Sequence, residues 1–353
     1  MNNKKKVYLV LVILALAVSP AFTQTSVDIR NAYDAFTDLG MDVARGLTFN
    51  STLGLNWSDA YIGQILNKAP EKLVNKPPHF GIGVMAGVTS ISKDKVLDAL
   101  KKAGIDSSDF DDIFAFALPA AAGELRLGGF FLPFDLGVKA GVLPSLDIGD
   151  MNLSYTFVGF DVRYALLKEE SRGWKPNISV GAGFNYIREK FGGISVGSGP
   201  MTWTVPSGIN GTTGGIVSLS APSLDLDWSN MTLDLKAQVS KRLIYIFTPY
   251  LGLGGSFGWS TFGYGLNSNI GYTLSGGGGP GTMGNLRDDL AKLGIPFDVD
   301  ATSLSGEEKV FTAGFRAYGG LAINIWKIIL DVTGMYNFLD QNYGASVGLR
   351  VQI

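Results

Sequence analysis

The chain has 353 residues, of which 46% are hydrophobic and 17% charged, with a formal charge of −2 and a mean hydropathy of +0.20. It contains no cysteine, which excludes both a lipid anchor on an N-terminal cysteine and a disulfide framework. The slightly acidic balance offers no basic footprint, so nucleic acid is not an expected partner.

Lys4, Lys5 and Lys6 precede an unbroken apolar run from Val7 to Val18, and the small residues Ser19 and Ala21 flank Pro20. That order builds a secretory signal peptide. The run is 12 residues, short of the ~20 that a membrane-spanning helix needs. Residues 1–23 therefore read as a leader, with cleavage after Ala21 or Thr23, and an N-terminal anchor helix as the alternative. Losing its three lysines takes the formal charge from −2 to −5.

Residues 24–78 do not alternate cleanly. Ile29, Tyr33, Phe36 and Val43 recur at helical spacing, and Ser58 is placed to cap a second short helix carrying Tyr61, Ile62, Ile65 and Leu66. Leu47 to Trp57 is alternatively an extra strand. The segment is either a periplasmic leader or a plug tucked into a barrel formed by residues 79–353. Its apolar residues exceed what a solvated tail needs.

From residue 79 onward, period-two alternation predicts an all-β, closed antiparallel transmembrane barrel over 79–353. Ten strands are legible: 80–90, 123–131, 134–142, 156–166, 176–188, 231–240, 249–259, 309–325, 328–338 and 343–353. In the third, Phe134, Leu136, Val138, Ala140 and Val142 oppose Asp135, Gly137, Lys139 and Gly141; in the last, Tyr343, Ala345, Val347, Leu349 and Val351 oppose Gly344, Ser346, Gly348, Arg350 and Gln352. The last three strands run 11 to 17 residues, well beyond the ~5–6 usual in soluble sheets. Tyr336, Phe338, Tyr343 and Trp326 sit at strand ends, where a membrane barrel carries its aromatic girdles. Short and long connections take turns: 132–133, 168–175, 241–246 and 326–327 on one side, against 92–122, 144–155, 189–230 and 260–308 on the other. A further pair, 201–205 with 216–226, would make twelve strands, although Pro206 and Gly214-Gly215 also suit a surface loop.

The inward face is rich in glycine, including Gly81, Gly83, Gly137, Gly181, Gly254, Gly314 and Gly348. Eight strands can be filled by their own side chains, but ten or more lined with glycine need water, a plug or a ligand inside. The inward charges carry both signs: Glu124, Arg126, Asp135, Lys139, Asp161, Arg163, Asp234, Lys236, Arg316, Asp331 and Arg350. They read as a selective polar pathway or, more economically, as a paired network, since buried ions need partners.

Two long loops carry amphipathic helical stretches. Ser92 would cap one and Gly104 end it, with Val96, Leu97, Leu100 and Ile105 as its stripe; Asn285 and Gly294 would bound the other, with Leu286, Leu290, Leu293 and Ile295. These stripes either capture an apolar ligand at the mouth or pack together as a lid.

A plug-like N-terminal segment, helices in two outer loops and a glycine-rich barrel resemble the long-chain fatty-acid transporter family of outer-membrane proteins. The resemblance implies fourteen strands, passive uptake of hydrophobic, fatty-acid-like solutes, and a C-terminal Phe where this chain has Ile353. It sets membrane lipid, a small solute and the barrel-assembly machinery as expected partners, in the bacterial outer membrane. A structural or adhesive barrel displaying 189–230 and 260–308 is the competing class. No cofactor and no enzymatic role are expected. His79, the sole histidine, and Ser90 sit at opposite ends of one strand, and Gly276 to Gly279 lacks the residues of a phosphate cradle.

Overall fold

The computed structural model describes residues 27–53, 57–59, 79–103, 116–128, 133–148, 151–168, 175–195, 200–243 and 246–352. The leader, the second N-terminal helix and Ile105 fall outside these residues. The elements, in chain order, are β1 (Val27–Asp28), α1 (Ile29–Asn50), β2 (His79–Ile91), α2 (Lys93–Lys102), β3 (Phe116–Gly128), β4 (Phe134–Ile148) and β5 (Met151–Leu167). They continue with β6 (Asn177–Ser195), β7 (Met201–Val205), β8 (Gly215–Ser240), β9 (Phe247–Leu274) and α3 (Met283–Leu293), then β10 (Asp298–Val299), β11 (Ser303–Ile325), β12 (Ile328–Asn337) and β13 (Tyr343–Gln352).

Ten of the strands close a ring. Each of β2 to β5 pairs antiparallel with the next, β6 pairs with β8, β8 with β9, β9 with β11, β11 with β12, β12 with β13, and β13 returns to β2. These are the ten that alternation marks. The short β7 adds to β8, β1 lies parallel to β7, and β10 adds to β11, all at one rim. Closure matters because a bilayer offers no partner to an unpaired strand edge. Among the described residues no helix is long and apolar enough to cross a membrane.

The wall is uneven. β8, β9 and β11 run 26, 28 and 23 residues, whereas β12 and β13 have 10 each. About 9–11 residues of a tilted strand cross a bilayer, so the long strands project well past it. The sequence reading of 144–155, 189–230 and 260–308 as loops is corrected, since most of those residues continue the wall. They escape a single-phase reading because the alternation reverses. In β8, Met231, Leu233, Leu235 and Val239 point outward and are exposed, while Thr232, Asp234, Lys236 and Gln238 are buried inside. Higher on the same strand the apolar residues are Leu224, Leu226 and Trp228, on the inward parity, with Asp225, Asp227 and Ser229 outside. Neighbouring strands reverse at the same register. The outward row Val158, Tyr186, Met231, Trp259, Phe311 gives way one step up to Thr156, Arg188, Ser229, Thr261, Lys309. A side chain facing lipid must be apolar and one facing water need not be, so this step marks the outer edge of the bilayer.

α1 lies within the ring. Ile29, Ala32, Ala35, Phe36, Leu39 and Val43 form its apolar stripe, Asp28 caps it by accepting from the Arg30 amide at 2.9 Å, and its last turn is buried all round. That last turn touches strands on every side: Gly46 meets Leu118 and Ile91, Thr48 bonds Thr312 at 2.6 Å, and Asn50 donates to the Pro119 carbonyl. Residues 47–50 are helical and 51–53 form a turn, so an extra strand from Leu47 to Trp57 is not formed. Gly40 and Gly258 permit the close approach: a Cβ at Gly40 would overlap the Phe262 ring, and one at Gly258 would overlap Thr48 Oγ1.

Candidate functional site: a two-storey lumen

Below the bilayer's outer edge the lumen is charged. The inward parity of β3, β4, β5, β8, β11, β12 and β13 delivers the ionisable residues, and inward glycines make room for them; Arg316 lies across Gly254, where a Cβ would stand 2.7 Å from its Cζ. Arg126 bonds Asp135 and, through Nη2, both oxygens of Asp161 at 2.6 and 2.7 Å. Arg163 grips Asp135 at 2.7 Å, Arg316 is bidentate on Asp234 at 2.7 and 2.9 Å, and Arg350 reaches Asp331 at 3.2 Å. Tyr250 donates to Asp331 at 2.6 Å. Lys139 donates to the carbonyls of Ser51 and Leu53 at 2.8 and 2.9 Å, below the end of α1. Lys236 is buried in the same storey, and Glu124 is half-buried. All eleven inward charges named from the sequence thus line the interior. In a dry interior a charge keeps its stability only with such bidentate, hydrogen-bonded partners.

The residue at the centre of this network was not among those singled out by sequence. Trp57, 1% exposed, lies beneath three guanidiniums, with Arg350, Arg126 and Arg163 at 4.0, 4.6 and 5.8 Å from its ring centroid. Its indole donates to Glu124 at 2.9 Å, and its carbonyl accepts from Gln238 at 2.6 Å and Arg163 at 3.2 Å. Two residues on, the Asp59 carbonyl accepts from Arg163 at 2.5 Å and its carboxylate from Gln352 at 3.1 Å. A lone tryptophan in a non-periodic segment gives no sequence signal of this role.

Above the bilayer edge the lumen is apolar and aromatic. Phe36 of α1 stacks on Tyr264 at 5.1 Å, Phe191 on Trp228 at 5.1 Å, and Trp228 on Phe262 at 6.1 Å. The loop helices close this storey. α2 packs on α1, and Lys95 pairs with Asp42 at 2.8 Å. Val96 and Leu97 are buried there; the side chain of Leu100 lies outside the described residues. Leu286, Leu290 and Leu293 of α3 and Ile295 just beyond it are buried in the same core as α1, and the Leu293 carbonyl accepts from Arg30 at 2.6 Å. The described residues of both stripes are therefore packed, not open to an incoming ligand. The cap of α3 is also corrected: Thr282 is the N-cap and Asn285 its capping-box partner, since Thr282 Oγ1 accepts from the Asn285 amide. Gly294 ends the helix at φ 72, as glycine there should.

Asp289 fastens α3 to the wall. It accepts from the amides of Thr213 and Gly214 at 2.9 and 3.0 Å and from Tyr272 at 2.8 Å. Burial opposes its charge, but these donors together with Lys292 outweigh it and hold the carboxyl below the ordinary carboxylate range.

His79 opens β2 and Ser90 lies near its far end, so the two are not brought together. Among the described residues no group of acidic or histidine side chains is placed to hold a metal ion.

No family profile matches the chain, and no curated protein matches it. Among solved structures it is similar to the translocator domain of the autotransporter NalP from Neisseria meningitidis, at 7% identity and a TM-score of 0.32, over 78% of this chain and 88% of that one. It is also similar to Ail, the attachment invasion locus protein of Yersinia pestis, at 10% identity and a TM-score of 0.25, over 78% and 97%. A third similarity is to the CymD monoaromatic hydrocarbon channel, at 11% identity and a TM-score of 0.23, over 94% and 98%. The assignment of the fold rests on the closed ring and its apolar belt, not on these scores.

Proposed function

We propose that this bacterial outer-membrane β-barrel is a channel for passive uptake of small hydrophobic solutes, in which α1 and residues 57–59 act as a plug that shifts for passage. The barrel is an even-numbered antiparallel ring with an apolar belt outside and polar groups within. The observation that carries the uptake reading is the apolar, aromatic upper storey, which faces inward above the bilayer, is filled by α1, and would contact an apolar solute once α1 shifts. A wall built only to display surface loops has no need of aromatic residues on its inward parity there. The charged storey below then keeps the plug seated between passages, because each ion pair that opens leaves buried charge.

The test is uptake into liposomes containing the refolded protein, with labelled aromatic hydrocarbons and fatty acids against sugars of similar size. Faster entry of the apolar solutes supports the reading. No permeation of any of them removes it and leaves the competing class, a filled barrel displaying its upper wall. Host-surface binding by variants lacking 205–214 or 275–282 would then identify that role.

A further inference from the structure

The upper storey contains one acidic group that the plug and the ion-pair network leave partly unused. Glu189, on β6, is 1% exposed. Its Oε2 accepts from the Trp228 indole at 3.3 Å, and its Oε1 meets no hydrogen-bond partner among the described residues. Directly across the strand pair stands Tyr155, whose hydroxyl is likewise buried without a side-chain partner. Neighbouring aromatic faces come from Phe157, Phe191 and Phe262. Burial pushes the Glu189 carboxyl up to about 8; once it ionises, an oxygen left without a donor costs free energy, and such positions persist where something else supplies the donor. The cations of the lumen are committed elsewhere: Lys139 to the carbonyls of Ser51 and Leu53 and the face of Phe157, Lys236 beside Asp161 and Asp234, and Arg126, Arg163, Arg316 and Arg350 to aspartates of the lower storey.

We infer that Glu189 and Tyr155 form a head-group subsite in the upper storey, selecting apolar solutes that carry a cationic ammonium over those that carry a carboxylate. The carboxylate supplies the counter-charge, the phenol oxygen a second acceptor, and the surrounding rings cation–π faces for the ammonium and contact for its apolar body. A bound ammonium would hold the carboxyl ionised, and above pH 8 an anionic head would meet the buried carboxylate and be repelled. The inference rests on the uptake reading and adds to it the chemistry of the solute.

Equilibrium dialysis tests it. The refolded full chain in detergent micelles at pH 9 and low salt is dialysed against labelled 2-phenylethylammonium, 3-phenylpropionate and 2-phenylethanol, with empty micelles subtracted. The ammonium should bind about tenfold or more tightly than the carboxylate, as expected for a charge-assisted bond. Glu189→Gln, an isosteric change, should remove that preference while leaving 2-phenylethanol unchanged, and Tyr155→Phe should weaken the ammonium by a few-fold. Equal or tighter binding of the carboxylate, or an ammonium affinity untouched by Glu189→Gln, overturns the subsite but leaves hydrophobic uptake standing if 2-phenylethanol binds. Binding of none of the three overturns both.

Discussion

The Arg350 guanidinium lies 4.0 Å above the centroid of the Trp57 ring, joining the last strand of the barrel to a segment that precedes the first. Arg126 and Arg163 approach the same ring from β3 and β5, so one indole gathers three strands. Desolvated cation–π contacts reach about 2 kcal/mol each, and truncating a buried Trp costs roughly 3–5 kcal/mol. Trp57→Ala should therefore free the N-terminal segment while the ring of strands, which does not contain it, stays closed. Limited proteolysis should show early cleavage before residue 79, with the heat-modifiable gel shift of the barrel retained.

The Arg316–Asp234 pair tests what the lower storey is worth. Removing one partner strands a buried charge, and Asp234→Ala should lower stability by about 3–5 kcal/mol in urea titrations of the protein in micelles. Replacing both, as Asp234→Leu with Arg316→Met, should recover most of that loss, because the pair's attraction is largely offset by its desolvation.

Gly40 tests the seat of α1. A Cβ there would overlap the Phe262 ring, so Gly40→Leu should shift α1 from the wall. The expected cost is about 1–3 kcal/mol from overpacking, with faster amide exchange along α1 and unchanged exchange in β12 and β13. Gly294→Ala, by contrast, affects only the end of α3, where φ is positive.

The attachment of α3 should depend on pH in a definite direction. Asp289 has its carboxyl held below the ordinary value of 3.8. A depressed carboxyl stabilises the fold above its unfolded pKa, and that contribution fades as pH falls through the folded one. Protection of the α3 amides should thus be constant from neutral pH down to about the ordinary carboxylate pKa and decline below it. Asp289→Asn should show weak protection throughout, with no acid-dependent step.

Much of the barrel was legible in the sequence, because lipid imposes one rule on every outward position. Leu233, Leu235, Leu251, Leu253, Phe311 and Phe315 could go nowhere else, and ten strands followed from them. Above the bilayer the rule inverts. Leu226, Trp228, Phe262 and Tyr264 obey the packing of a soluble core on the opposite parity, so a search in one phase reads them as loop. The bulges at 220–223 and 191–194 shift the parity again. The inward charges were visible as residues, but their pairing was not, since Asp135 joins Arg126 and Arg163 only across strand neighbours. Trp57 had no periodic context and Glu189 lay just past the end of the legible strand 176–188, and only the closed ring gives them meaning.

The reversal of parity is most directly tested by cysteine labelling, for which a chain without native cysteine is well suited. Single cysteines at Asp227, Ser229, Met231, Leu233 and Leu235 all lie on the outward parity of β8 and differ only in height. In the refolded protein in liposomes, a water-soluble maleimide should label the first two rapidly. The cysteines at Leu233 and Leu235 should resist it, and a bimane attached there before refolding should be quenched by nitroxide lipids. Uniform labelling of all five positions, or lipid quenching at Asp227 as strong as at Leu235, would contradict a bilayer edge at Met231 and the two-storey lumen built on it.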